Sequence, residues 1–267
     1  MGSVSAVEFS AELLAKMLQT ERFGRAVRVV SETPSTIDLA KEWLREGGPE
    51  GAVIIAQRQT QGRGRRGRQW ASPEGGLWMS VIARPGIESA RAGRLGIGFG
   101  LAAAEAVSAE AGCSVGVKWP NDLWVGGKKV GGVLVGSQTG GGRITDAVLS
   151  VGLNVNILRQ DLPEEIRGAA TSLWEETGRE HGLEALAARI LGKLEEMWPG
   201  IVGEGEEIVA QYRARDVLIG LDVSVAAGES IVRGRADGID AGGALVLRCG
   251  SQKKRVTAGD VSAVRGW

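Results

Sequence analysis

The chain is poor in residues on which several chemistries depend. Its 267 residues include two cysteines, Cys113 and Cys249, and one histidine, His181. That excludes a Cys/His zinc site and a disulfide framework. At most one bridge could form, and reduced thiols in a cytoplasmic protein are the expectation. A Ser-His-Asp triad would rest wholly on His181, which stands in the polar stretch 176–182, a poor place for a buried base. One Tyr and three Phe against eight Trp leave mostly indoles as flat rings. No run of 18 apolar residues occurs, and the opening MGSVSAVEFS has neither a basic start nor an apolar stretch, so a soluble, unexported protein without a membrane partner is expected. Net charge is also missing. Lys and Arg total 32 and so do Asp and Glu, which argues against a bulk electrostatic grip on nucleic acid or an anionic membrane.

What is present is an ordinary globular composition, 43% hydrophobic and 24% charged, on a chain long enough for a main domain plus a small one. Phe9, Leu13, Leu14, Met17 and Leu18 recur at helical spacing over 8–19. Ser35 and Asp38 have the spacing of a capping box, and the helix they open is stopped by Gly47-Gly48-Pro49. Strands are expected at 27–30, 53–56, 77–83, 115–119, 122–125, 129–135 and 144–154, with an Ala/Gly-rich helix at 93–111. A second long helix carries the apolar stripe Leu183, Leu186, Ala187, Ile190, Leu191, Leu194 and Met197. After about Arg213 only short strand-like segments between Gly, Asp and Ala turns remain. The division is therefore 1–213, a mixed α+β domain with a β-sheet flanked by helices, and 214–267, a small β-barrel.

The charge that cancels overall is concentrated locally, with four arginines between Gly62 and Arg68. Residues Gly62 to Gly67 satisfy G-x-G-x-x-G, but a dinucleotide site needs a helix immediately afterwards, and Pro73 with Gly75-Gly76 blocks one. Gly67 is followed by Arg-Gln rather than Lys-Ser/Thr, which removes the P-loop, and no kinase H-R-D or D-F-G occurs. A second pattern, Gly98-x-Gly100-x-x-Ala103, lies within the 93–111 helix and reads as close helix packing. Two readings of the arginine loop remain. It could be a solvated basic segment that touches RNA. Alternatively it is a phosphate cradle, with glycines exposing backbone N–H groups and guanidinium forks gripping oxygens.

A second segment, Lys118-Trp119-Pro120-Asn121-Asp122-Leu123, puts a proline turn between two strands. A third, Lys129-x-Gly131-Gly132-Val133-Leu134, sets an ammonium beside glycines that permit close approach. Together with Gln59-x-x-Gly62-Arg63-Gly64-Arg65-Arg66-Gly67-Arg68-x-Trp70 and Ser150-Val151-Gly152-Leu153-Asn154-Val155, these resemble the biotin–protein ligase family, in its order and spacing over essentially the whole chain.

The resemblance implies a class II synthetase-like catalytic domain with a C-terminal SH3-like barrel. It also implies a two-step reaction: biotin and ATP give biotinyl-5′-adenylate and pyrophosphate, then a lysine of the biotin carrier domain of a carboxylase takes the biotin. Residue by residue, it implies Ser35, Thr36, Gln59, Arg63, Gly64, Arg65 and Lys129 for biotin, and Arg65, Arg68, Trp70, Asn121 and Lys129 for ATP. Arg65, Lys129 and Asp122 would be catalytic, Asp122 steering the incoming lysine. Mg²⁺ is implied by ATP, without a dedicated metal motif. The family's Ser-Thr-Asn triplet is here Ser35-Thr36-Ile37, so an amide is lost from that corner. Only 34 residues precede Ser35, so the form expected is one without the N-terminal DNA-binding domain and with no DNA partner. Homodimerisation is raised by the resemblance alone. A lipoate-type acyl ligase on the same fold is the rival enzyme reading. The glycines and mutually repelling arginines of 61–70 predict a loop that is disordered until ligand arrives.

Overall fold

The computed structural model describes residues 8–263. In chain order its elements are α1 (Ala11–Met17), β1 (Val27–Thr33), α2 (Thr36–Arg45), β2 (Val53–Gln59), β3 (Leu77–Ala83), β4 (Ile87–Glu88), α3 (Gly93–Ala111), β5 (Gly116–Lys118), β6 (Asp122–Val125), β7 (Lys128–Gly140) and β8 (Arg143–Leu153). They continue with α4 (Leu173–Thr177), α5 (Leu183–Val202), α6 (Glu206–Arg215), β9 (Asp222–Ala227), β10 (Ser230–Ile239), β11 (Leu245–Cys249), β12 (Gln252–Val256) and β13 (Asp260–Ala263).

All seven residues of β3 are buried, a pattern that only a central strand covered on both faces can satisfy. It lies in a sheet ordered β1-β2-β3-β8-β7-β6-β5, with β4 also on β8. β1 and β2 run parallel and every other neighbour is antiparallel. One face is covered by α2, whose Ile37 and Ala40 pack on Ile54, Ile82 and Val148. The larger core, containing residues of α1, α3 and α5, covers the other. The close packing expected of Gly98 is present. A Cβ there would lie 2.4 Å from Ile201 Cγ1 on α5, closer than two carbons can stand.

The second sheet is ordered β12-β11-β10-β9-β13 and wholly antiparallel. The barrel expected after Arg213 is thus an open five-stranded sheet among the described residues, with no pairing between β12 and β13 to close it. It sits on the main domain through specific hydrogen bonds. Trp119 Nε1 donates to Gly243 O at 2.9 Å. Arg94, only 1% exposed, donates to the carbonyls of Ile201, Gly203, Glu204 and Ala241. A buried guanidinium is tolerable because its donors are satisfied in this way.

Some features depart from the sequence reading. Helix α6 has no counterpart in it, because Ile208, Val209 and Tyr212 give that helix only a weak apolar stripe. His181 is buried rather than solvated. Its backbone exchanges hydrogen bonds with the Asn156 amide at 2.8 and 2.9 Å, and Nε2 lies 2.7 Å from Thr177 Oγ1. Burial, with Arg179 nearby, lowers its pKa. Both cysteines are free. Among the described residues no helix is long and apolar enough to cross a membrane.

The main sheet contains an irregularity that reorients one side chain. Along β6 and β7 the pairs are Asp122 with Gly132, Leu123 with Gly131, then Trp124 with Lys129, so Val130 is an extra residue. This β-bulge moves Lys129 off the core-facing side shared by Leu123 and Val125. It now stands opposite Trp124, on the face of Asp122. The bulge is stitched in place. Asn154 N–H donates to Val130 O at 2.8 Å, Lys129 N–H donates to Ala169 O at 2.9 Å, and Thr171 N–H donates to Lys129 O at 2.9 Å.

Candidate active site

A cavity of about 440 Å³ opens between the β2–β3 connection, the β5–β6 turn, the segment 162–170 and β13. The arginine loop forms one wall. Gly64 N–H donates to Arg68 O at 2.7 Å and Trp70 N–H to Gly62 O at 2.8 Å, closing a hairpin around a 3₁₀ turn, Arg65–Gly67. Gly62 is needed there, since a Cβ would meet Trp70 O at 2.4 Å. The loop's arginines are paired in the structure. Arg63 pairs with Asp38 at 2.6 Å, and Arg65, Arg66 and Arg68 all turn to Asp260. Mutual repulsion between the arginines is offset by acids distant in sequence, Asp260 by almost two hundred residues. Asp38, expected to complete a capping box, is the partner of Arg63 instead.

A polar relay forms the second wall. Ser80 Oγ, 2.8 Å from Ser150 Oγ, donates to Thr36 Oγ1 at 2.8 Å, and Thr36 Oγ1 donates to Gln59 Oε1 at 3.2 Å. Thr36 N–H reaches the same Oε1 at 2.9 Å while Gln59 Nε2 donates to Ser72 Oγ at 2.9 Å. The Gln59 amide is therefore fixed at both ends, and the relay can exchange bonds with a polar ligand group at low reorganisation cost. Ser35 is not on the wall. It is fully buried and caps α2, accepting from Ile37 N–H at 3.3 Å. Ile37 lines the cavity with an apolar side chain.

The third wall carries the ionic centre. Lys129 Nζ lies 2.6 Å from Asp122 Oδ1 and 4.8 Å from the centroid of the Trp70 ring. Trp70 faces a β8 surface with no side chain, where a Cβ on Gly152 would meet its Nε1 at 2.8 Å, and that buried Nε1 has no hydrogen-bond partner. Asn121 Nδ2 donates to Val133 O at 2.8 Å, and Arg65 Nη1 approaches Asn121 Oδ1 at 3.4 Å. Lys118 is half-buried beside them. Burial lowers its pKa against the opposing pull of Asp122, and its ammonium lies 4.3 Å from the centroid of Trp124. Burial also lowers the pKa of Arg65, while Asp260 raises it.

Thr36, Gln59, Arg63, Gly64, Arg65, Arg68, Trp70, Asn121, Asp122 and Lys129 therefore share one cavity, and Ser35 alone of the predicted set stands behind it. The sequence reading gave no site role to Lys118, Ser150 and Asn154, which it held only as motif letters, and did not single out Ala169, Ala170 and Asp260 on the same walls or Ser80 behind the relay. Serines within strands carry no signal of a relay, and nothing local to Asp260 points to the loop it joins. Among the described residues no group of three His, Cys, Asp or Glu is placed to hold a metal.

Residues 29–156 match the biotin/lipoate A/B protein ligase family, and residues 218–264 match the biotin protein ligase C-terminal domain. The chain is 34% identical over 249 residues to a biotin–[acetyl-CoA-carboxylase] ligase of Mycobacterium tuberculosis, covering 90% of each. It is 31% identical over 246 residues to the bifunctional ligase/repressor BirA of Bacillus subtilis, covering 91% of this chain and 76% of that one. A structure of the biotin protein ligase from Aquifex aeolicus in complex with biotin and ATP superposes with a TM-score of 0.77 at 28% identity, over 91% of this chain and all of the other. Similarity at this level, carried through both sheets and about nine-tenths of the chain, places the protein in the biotin protein ligase family.

Proposed function

We propose that this protein is an ATP-dependent biotin–[acetyl-CoA-carboxylase] ligase, which activates biotin as biotinyl-5′-adenylate and transfers it to a lysine of the carboxylase's biotin carrier domain. One observation carries the reading: the arginine loop, the Lys118–Asp122 turn and Lys129, far apart in sequence, line a single cavity with the Gln59–Thr36 relay. Attack of a carboxylate on a phosphate brings two anions together, so it needs fixed positive charge where the transition state gathers negative charge. Lys129 and Arg65 are the groups best placed for that, and Arg68 and Asn121 extend the site towards the rest of the nucleotide. No enzyme nucleophile is required, consistent with His181 lying away from this cavity.

In the second step an amine displaces AMP and must lose a proton. Asp122 holds Lys129 at 2.6 Å. As Lys129 turns to the ligand's carboxylate or phosphate, Asp122 is freed to accept the proton of the acceptor lysine. The polar relay suits a ligand with its own donors and acceptors, and Thr36, Gln59, Arg63 and Gly64 are the biotin-side residues, with Ser35 supporting them through the α2 cap. Magnesium would arrive as the counter-ion of the triphosphate. The cation-rich wall suits polyphosphate, and Asn121 Oδ1 is the neutral oxygen available to the ion. The reading takes residues 1–213 as the catalytic unit and 214–267 as the C-terminal unit of a cytoplasmic enzyme. The test is biotin-dependent exchange of pyrophosphate into ATP by the purified protein. Exchange driven by biotin is expected; exchange driven by lipoate instead, or none, would overturn it.

A further inference from the structure

Three guanidiniums converge on one carboxylate of the other sheet. Arg65 Nη1 lies 3.7 Å from Asp260 Oδ1, Arg66 Nη1 lies 3.3 Å from Oδ2, and Arg68 Nη2 is in direct hydrogen-bond contact with Oδ2. Backbone acceptors of the same sheet extend the contact, since Arg65 donates to Gly259 O at 3.1 Å and Arg66 reaches Ala226 O at 3.5 Å. To make this contact the loop places Arg66 at φ 55°, a left-handed conformation uncommon for a residue with a side chain. Asp260 itself is held by its register on β9, opposite Ala226. It borders the cavity that the loop encloses.

A carboxylate accepting from several arginine forks has the chemistry of a bound phosphate. Two oxygens cannot satisfy three forks, and one negative charge against three positive leaves the cluster attractive to a further anion. The contact lies at the rim, with Arg68 64% and Asp260 32% exposed, where each ion pair is weak and easily exchanged. We propose that Asp260 is a positioning residue, an internal counter-anion that holds the Arg65, Arg66 and Arg68 side chains ready and is displaced from them by the phosphates of incoming ATP. This rests on the reading of the cavity as the ATP site. The consequence is that the C-terminal sheet helps to set the affinity for nucleotide, because every ATP that binds must first displace a carboxylate.

The test uses the full chain with Asp260→Asn and Asp260→Glu. KM for ATP, KM for biotin and kcat are taken from pyrophosphate exchange, and trypsin cleavage at the loop arginines is followed with and without inorganic pyrophosphate. In the Asn variant KM for ATP is expected to fall by about two- to fivefold, the range that exposed ion pairs command, with the effect on KM rather than on kcat. Its ligand-free loop should be cut faster than in the wild type, and pyrophosphate should restore protection. The Glu variant keeps the charge and should follow the wild type in both assays. An unchanged or raised KM for ATP in the Asn variant, or an unchanged rate of loop cleavage, would overturn the proposal. Failure of the wild type to exchange at all would instead remove the ATP reading, and the cleavage rates would still decide whether Asp260 holds the loop.

Discussion

Replacing Asp216 by Asn should stabilise the protein at neutral pH and remove the stability that Asp216 supplies in acid. Asp216 lies just after α6, where the chain passes to the second sheet, with its residue 7% exposed. Its backbone is tied to β5 by a parallel bridge to Val117 and a hydrogen bond from Val217 N–H to Val117 O at 3.0 Å. Oδ1 accepts from Leu218 N–H at 2.9 Å, whereas buried Oδ2 has no partner. Burial pushes the carboxyl up from its ordinary 3.8 to about 6, against the Leu218 N–H and Arg213, which both pull it down. Burial raises the Tyr212 hydroxyl, whose oxygen also lacks a partner, and the charged form of Asp216 raises it further. Between pH 3.8 and about 6 the native protein keeps a proton that the unfolded chain has released. Stability from this group therefore falls as the pH rises through that window and stays low above it. The full excursion is worth about 3 kcal/mol at 1.36 kcal/mol per pH unit. Asn keeps the acceptor for Leu218 and never carries the charge. Urea unfolding of both proteins at pH 4 and pH 7.5 isolates the effect, because the other carboxylates titrate alike in each. The variant should gain on the wild type by about 1–3 kcal/mol between the two pH values. An equal difference in stability at both would show that Asp216 is not buried as a charge.

Three other substitutions probe the cavity. Lys129→Ala should weaken biotin and adenylate binding roughly 10- to 100-fold, the worth of about 1.5–3 kcal/mol for bonds to a charged group, and calorimetry showing unchanged affinity would return Lys129 to a solvated hairpin. Arg65→Gly should speed adenylate release more than it lowers the melting temperature, since a loop arginine has little core to lose; an unaltered release rate in a chase experiment would refute the role. Gly152→Ala places a methyl 2.8 Å from Trp70 Nε1, so Trp70 must move. Its fluorescence should shift and KM for biotin rise, and neither would change if the ring had room to spare.

Much of the site is legible in the sequence because its residues come in runs. The segments around Gly62, Lys118 and Lys129 each carry several chemically committed residues in succession, and the turns that separate them announce themselves through Pro120 and paired glycines. The strands are legible where alternation or unbroken burial marks them, as in β3. What is not legible depends on contacts between distant segments. Asp260 reads as an ordinary acid at the start of a terminal strand, and its three partners lie 192 to 195 positions away. Ser80 and Ser150 read as small strand residues until β3 and β8 pair them face to face. Lys129 stands out as a motif residue, but strict alternation from Val125 across the β6–β7 turn would have turned it into the core.

The bulge at Val130 bears on how such a site tolerates change. Lys129 faces the cavity because Val130 is one residue too many for the ladder, so the site depends on a count as well as on an identity. Were Val130 drawn into the regular ladder opposite Trp124, every predicted functional side chain would be kept and the ammonium would still turn away from Asp122. A point substitution in this hairpin tests chemistry; a one-residue change of register tests geometry, and it is the change that a comparison of motif letters alone would overlook. Shifts of register between Asp122 and Gly132 should therefore be far more damaging than the length variation that surface hairpins ordinarily accept.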